Sequence, residues 1–134
     1  MKGLLGWYNA KLATPGQQIN RMILEPQSMP KPPTYELYQK WQGDYINDLA
    51  AIDGRLSEKP YLCGNDITLG DIVVFNDIAQ FLAVTNTDLN HPDLDKHANV
   101  KRWFNKMEEN EIVLKHANDM RNALKDVKKV IPTQ

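Results

Sequence analysis

Residues 69–84 form a segment that is apolar around most of its helical circumference, and this segment limits the chain to a few folds. A helix of this kind is stable in water only when other helices surround it. We therefore expect it to be the buried central helix of a helical bundle. Its apolar residues include Ile72, Val73, Val74, Phe75, Ile78, Ala79, Phe81, Leu82 and Ala83.

A helix-start signal precedes this segment in Ile67-Thr68-Leu69-Gly70-Asp71-Ile72. Thr68 is a good N-cap because its hydroxyl can accept the backbone N–H of Asp71, while the Asp71 carboxylate can accept the N–H of Thr68. Ile67 and Ile72 flank this capping box as a hydrophobic staple. We assign Asp71 to this structural role in preference to that of a catalytic acid.

Apolar residues at helical spacing predict further helices on both sides of this segment. The ranges are 2–13, 17–24, 35–56, 99–109 and a last helix from Glu111. Thr14-Pro15-Gly16 is expected to break the first helix, and the prolines within residues 25–33 predict an extended linker.

The longest predicted helix is capped by Thr34. Its apolar stripe runs through Tyr38, Trp41, Tyr45, Leu49, Ile52 and Leu56. The last helix is expected to turn one face inward, with Ile112, His116, Met120, Ala123 or Leu124, and Val127. Because strand-like alternation is missing, we predict one all-α domain, residues 1–134, a bundle of five to six helices around residues 69–84.

The composition and net charge of the chain limit which classes of function are expected. Hydrophobic residues make up 42% and charged residues 25% of the chain, values that are ordinary for a globular protein. The net charge of −1 argues against nonspecific nucleic-acid binding, which depends on phosphate neutralisation. No apolar run reaches the roughly 20 residues of a membrane span, and no signal peptide is recognised. We expect an intracellular protein of the cytoplasm or an organelle matrix.

Several side chains invite a functional interpretation, but a structural one is favoured for each. Cys63 is the only cysteine, which excludes an intramolecular disulfide and a cysteine metal cluster. The histidines, His91, His97 and His116, lack the spacing of a metal motif. The aromatic stripe of Tyr38, Trp41 and Tyr45 fits core or dimer packing. The basic residues Lys125, Lys128 and Lys129 suit the C-terminal end of a helix. We predict no metal ligands, although a contact of the lysines with an acidic partner stays open.

Three motifs together resemble the C-terminal half of a glutathione S-transferase. They are the capping-box stretch from Tyr61 to Ile72, the tryptophan motif from His97 to Met107, and the end of the long helix from Leu49 to Leu56. Leu4-Leu5-Gly6-Trp7-Tyr8 also resembles the start of that domain. Two positions depart from the family pattern: Gly70 replaces an alanine, and Ala98 replaces a proline.

The resemblance implies a fold but no catalytic residue in this chain. In the family, a thioredoxin-like N-terminal domain supplies the glutathione site and the residue that activates the thiol. We expect no cofactor here, with glutathione bound only if another chain supplies that half. Trp7, Tyr8 and Leu12 correspond to a wall of the family's second-substrate pocket and could contact a partner or line a pocket.

Two functions are therefore expected. The first is a non-catalytic interaction module, a subunit of a larger complex, that buries an apolar face against a protein partner or a second copy. The resemblance implies this role because similar domains are docking modules in translation elongation and aminoacyl-tRNA synthetase complexes. The second is the C-terminal half of a glutathione transferase, which conjugates glutathione to electrophiles when its other half is present.

Overall fold

The computed structural model describes residues 2–133, apart from the side chains of Lys2 and Asp93. Over that range the chain is all-α, as predicted, and its only β-type pairing is an isolated bridge between Tyr61 and Gly64. The elements in order are α1 (Lys2–Trp7), a π-helical turn (Tyr8–Leu12), α2 (Ala13–Leu24), a 3-10 turn (Pro26–Ser28), α3 (Tyr35–Arg55), α4 (Leu69–Thr85), α5 (Pro92–Asp95), α6 (Ala98–Glu108) and α7 (Glu111–Lys125).

The first helical region runs without interruption from α1 through the π-helical turn into α2, so the predicted break at residues 14–16 is wrong. The backbone N–H of Ala13 donates to the carbonyl of Tyr8, five residues back, which widens the helix by one residue. Because this wide turn shifts the hydrogen-bond ladder just before Pro15, the proline is accommodated at the start of α2.

Gly16 lets α2 approach α3 and α4 closely. Gly16 is buried, and a Cβ atom there would lie 3.2 Å from Cε2 of Tyr45 and 3.3 Å from Oδ1 of Asp77. The Pro-Gly pair that looked like a helix break in the sequence is therefore a packing site inside a helix.

Helix α3 follows the sequence prediction closely. The hydroxyl of Thr34 accepts the N–H of Leu37 at 3.1 Å, so Thr34 is its N-cap. The predicted stripe is buried at Tyr38, Tyr45, Leu49, Ile52 and Leu56, whereas Trp41 is half-buried.

Helix α4 is the centre of the core over most of its length. The ring of Phe75 lies 6.3 Å from that of Trp103 and 4.5 Å from that of Phe104, and the ring of Phe81 stacks on Tyr45 at 4.0 Å. Its remaining core residues are Val74, Ile78, Ala79, Leu82 and Val84.

The first turn of α4 is not enclosed, and here the prediction of a buried Ile72 is wrong. Ile72 is 36% exposed and Leu69 is 58% exposed. The reason is that no other described element covers this side of α4 at its N-terminal end.

Helix α7 buries part of the predicted stripe and departs from it in its first two turns and at Val127. Val113 and Ala117 are buried, whereas Ile112 is 71% exposed and His116 is exposed. In those turns the two candidate stripes are offset by one residue, and the chain buries Val113 and Ala117 in place of Ile112 and His116. Met120 and Leu124, which the prediction included, are half-buried against the core. Periodicity alone could not decide between the two stripes.

Candidate interaction surface

The carboxyl group of Asp71 holds three parts of the fold together. Its Oδ2 accepts the backbone N–H and the hydroxyl of Thr68, both at 2.9 Å. Its Oδ1 accepts the N–H of Leu62 at 2.8 Å and the indole N–H of Trp103 at 3.0 Å. Because Asp71 is completely buried, these four donors satisfy a polar group that would otherwise be costly to bury. This arrangement is structural and leaves no free oxygen for catalysis.

The capping box at the start of α4 is formed by Thr68 and Asp71, as the sequence indicates. The two isoleucines that were expected to staple this helix start are only partly covered, since Ile67 is 37% and Ile72 is 36% exposed. The polar half of the signal therefore fixes the helix start, and the apolar half contributes surface.

Asp53 on α3 performs the same kind of task for α6. Its Oδ1 accepts the backbone N–H groups of Asn99 at 2.8 Å and Val100 at 3.0 Å. These N–H groups lie in the first turn of α6 and have no partner within that helix. The carboxylate from α3 therefore fixes the start of α6, where the chain has Ala98.

A third aspartate links the first helical region to α3 and α4. Oδ1 of Asp77 accepts the hydroxyl of Tyr45 at 2.6 Å, and Oδ2 accepts the hydroxyl of Tyr8 at 2.7 Å. Burial raises the pKa of Asp77 above its usual range, and the two hydroxyl donors offset part of that rise. Burial and the neighbouring Asp77 also raise the pKa of Tyr45 and Tyr8. The sequence analysis missed Asp77, although an acid beyond the capping turn of a mostly apolar helix was a usable signal.

The three residues proposed as a partner or pocket wall do not share one surface. Leu12 is completely buried in the core, so it presents nothing to a partner. Tyr8 is half-buried and donates its hydroxyl to Asp77. Trp7 is half-buried and lines a small hollow of about 160 Å³ between α1 and α3, with Leu4, Ala51, Ile52 and Arg55.

The cysteine and histidines do not come together. Cys63 is half-buried in the turn closed by the bridge between Tyr61 and Gly64. His97 is buried at the N-cap of α6, and His116 is exposed on α7. Within residues 2–133, apart from the undescribed side chains, no group of three or more His, Cys, Asp or Glu residues could hold a metal ion.

The exposed apolar residues of α4 and α7 define the feature that we call the α4–α7 face. It comprises Leu69 and Ile72 on α4 and Ile112 on α7, with exposed fractions of 58%, 36% and 71%. Asn76 and His116, both exposed, continue it along the two helices.

Helices α4 and α7 lie side by side and run in the same direction. One groove is lined by Asn76 and Gln80 on α4 and by His116, Ala117 and Met120 on α7. Just past the C-terminal ends of both helices, Lys129 Nζ donates to Asn86 Oδ1 at 3.2 Å. Ile72 and Ile112 lie one turn before Asn76 and His116, so both stand toward the N-terminal ends of these two parallel helices. The α4–α7 face therefore places exposed aliphatic side chains of both helices at the same end of the bundle.

None of the helices in the described part of the chain combines the length and the hydropathy that crossing a membrane requires.

Comparison with known proteins gives one family and two curated relatives. The family model described as glutathione S-transferase, C-terminal domain, matches residues 35–106. Eukaryotic translation elongation factor 1 epsilon-1 of Mus musculus is 36% identical over 56 residues, which cover 42% of this chain and 30% of the relative. The protein of the same name from Cricetulus griseus is 32% identical over 79 residues, which cover 59% of this chain and 39% of the relative. The matched part is thus well under half of each relative's length. No solved structure matches the chain significantly.

Proposed function

The chain belongs to the glutathione S-transferase C-terminal domain family, and from that premise we propose that it is a non-catalytic interaction module, a subunit of a larger protein assembly. The observation that carries the proposal is the α4–α7 face. Its three aliphatic side chains, Leu69, Ile72 and Ile112, are each at least one-third exposed and lie in the N-terminal turns of two adjacent, parallel helices. Clustered aliphatic surface of this kind marks sites where another protein binds.

The carboxyl groups buried in the bundle support a non-catalytic role. Asp71, Asp77 and Asp53 each have their oxygens engaged by donors from other segments of the bundle. A catalytic acid or base has to reach the substrate with a free oxygen, in a cleft that the substrate can enter. In these three cases the hydrogen bonds hold helices in place instead.

The two relatives suggest which assembly the module serves. Both carry the name of a eukaryotic translation elongation factor, 1 epsilon-1. We propose that the partner covering the α4–α7 face is a protein of the translation machinery, which would place the chain in the cytoplasm or an organelle matrix. A second copy of the chain is the alternative occupant of that face.

A glutathione conjugation assay separates this proposal from the enzyme alternative. We expect the purified chain to show no turnover with glutathione and a standard aromatic electrophile, and no retention on immobilised glutathione. The family's thiol-activating residue comes from a thioredoxin-like domain, and residues 2–133 contain no strand from which such a domain could be built. Turnover well above the uncatalysed rate would overturn the proposal and favour a glutathione transferase.

A further inference from the structure

A second surface of the molecule differs from the α4–α7 face in its chemistry. A cleft of about 640 Å³ opens between the C-terminal end of α4, helix α6 and the C-terminal half of α7. We call it the basic cleft because four cationic side chains line it: Lys101, Arg121, Lys125 and Lys129. Its floor is apolar and includes Leu82, Ala83 and Phe104.

The acidic residues of the basic cleft do not neutralise these cations fully. Its acidic lining residues are Asp88 and Glu108. Oδ1 of Asp88 accepts the N–H of Asn90 within its own loop, at 2.8 Å. Glu108 accepts from Arg121 at 3.0 Å. Even when Asp95, the ion-pair partner of Lys101, is counted, four cations face three carboxylates, so the cleft is positive in a chain whose net charge is −1.

Several donors in the cleft remain available for a ligand. Arg121 uses its Nη1 for both Glu108 and Asn118, which leaves Nε and Nη2 of the guanidinium fork without a described partner. Lys125 has no hydrogen bond or ion pair within the described residues. Lys101 pairs with Asp95 at 2.9 Å, but both side chains are about one-third or more exposed, and such pairs exchange easily.

Helix dipoles explain only part of this arrangement. Lys125 lies in the last turn of α7, where a cation is favoured by the dipole. Lys101 lies near the N-terminal end of α6, where the dipole disfavours a cation. The helix dipoles therefore do not account for the position of all four cations in one cleft.

We propose that the basic cleft binds an acidic segment of a partner protein, in which carboxylates flank one or more apolar side chains. The guanidinium fork of Arg121 matches a carboxylate in geometry, and Lys125 and Lys129 supply further charge-assisted hydrogen bonds. The apolar floor accommodates the segment's aliphatic side chains. This inference rests on the proposed interaction role, and it names the chemistry of a partner segment.

A nucleic acid fits the cleft less well. Sequence-tolerant binding of single strands needs exposed aromatic rings on which bases can stack. The aromatic residue that lines the cleft is Phe104, which is only 4% exposed. The observations therefore favour carboxylates over phosphates as the anionic groups.

Fluorescence anisotropy tests the proposal with a short fluorescein-labelled peptide of glutamates and leucines, and with a counterpart that has glutamine at each glutamate. The wild-type chain should bind the glutamate peptide and not the glutamine peptide. Because charge-assisted bonds are the strong ones, Lys125→Glu with Lys129→Glu should weaken binding by about tenfold or more, and Arg121→Gln should also weaken it. Lys31→Glu with Lys59→Glu changes the net charge equally at exposed sites outside the cleft and should leave binding within about twofold.

One further variant separates this proposal from the proposed function. Ile72→Asp with Ile112→Asp alters the α4–α7 face and should leave peptide binding unchanged. Any of the following results would overturn the basic cleft as an acidic-segment site. The two peptides could bind equally, both lysine variants could lose binding equally, or the isoleucine variant could lose binding. A single-stranded oligonucleotide could bind more tightly than the peptide, or the peptide could fail to bind at all. Circular dichroism melting of each variant confirms that the fold is intact.

Discussion

At the scale of single residues, the carboxylate of Asp71 links three separate segments of the chain. Its four hydrogen bonds join the start of α4 to the preceding loop at Leu62 and to α6 at Trp103. The sequence predicted only the local half of this role, the capping box with Thr68. The contacts to Leu62 and Trp103 depend on the tertiary fold, and no local pattern encodes them.

Asp71→Ala should therefore cost more than the loss of a helix cap. It leaves the buried N–H donors of Leu62 and Trp103 without an acceptor, and each unsatisfied donor costs about 1–3 kcal/mol. We therefore expect the free energy of unfolding to fall by about 3 kcal/mol or more. Thr68→Ala should cost about 1 kcal/mol. Urea unfolding of both variants gives these values. A loss for Asp71→Ala no larger than that for Thr68→Ala would contradict the wider role.

Asp77 should make stability depend on pH in a defined direction. Because burial raises its pKa in the folded state, the folded chain holds a proton that the unfolded chain has already released between the ordinary pKa of about 3.9 and the raised value. Stability from this group therefore falls as the pH rises through that window.

The isosteric variant Asp77→Asn removes this titration and keeps partners for the hydroxyls of Tyr8 and Tyr45. Across a series of pH values upward from about 4, the melting midpoint of the wild type should decline relative to that of Asp77→Asn. Parallel curves, or a relative rise for the wild type, would show that the pKa of Asp77 is not raised.

At the scale of helices, periodicity predicted where helices form better than which side they bury. The bounds of α3, α4 and α6 lie within about one residue of the predicted ranges, because caps and apolar stripes encode them. In α7 only the first two inward positions were assigned one residue out of register, as Ile112 and His116 where Val113 and Ala117 are buried, whereas Met120 and Leu124 do pack against the core. The π-helical turn was not predicted, because a Pro-Gly pair such as Pro15-Gly16 is also the usual sequence signal for the end of a helix.

Gly16 provides a test of the close approach of α2 to α3. Gly16→Ala should destabilise the fold by about 1–3 kcal/mol, because the new methyl group meets the fully buried Tyr45 ring, which is stacked on Phe81. Gly54→Ala on α3 meets nothing within 4 Å and should stabilise by about 0.5–1 kcal/mol. Thermal melting of both variants measures the difference. A stabilising Gly16→Ala would show that the helices are not in close contact there.

For the whole molecule, the family and its all-α fold followed from motifs spread along the chain, whereas the interaction surface did not. The sequence proposed Trp7, Tyr8 and Leu12, but Leu12 is buried and Tyr8 is bound to Asp77. The α4–α7 face emerged from residues that were expected to be buried, Ile72 and Ile112. Amphipathic pattern identifies apolar positions, but only the packed fold shows which of them lack a covering element.

The α4–α7 face can be altered without harming its helices. Ile72→Asp and Ile112→Asp place acids near the N-terminal ends of α4 and α7, where the helix dipole favours them. The matched control adds two acids at exposed sites elsewhere, with Gln27→Glu and Ala50→Glu.

The decisive measurement is quantitative co-purification of translation proteins with the tagged wild-type chain, the face variant and the matched control from the same cells. We expect the wild type and the control to retain the same translation-machinery partner in equal amounts, and the face variant to lose most of it. Equal retention by the face variant, or no translation protein retained by any of the three, would contradict the account of this chain as an interaction module that docks through the α4–α7 face.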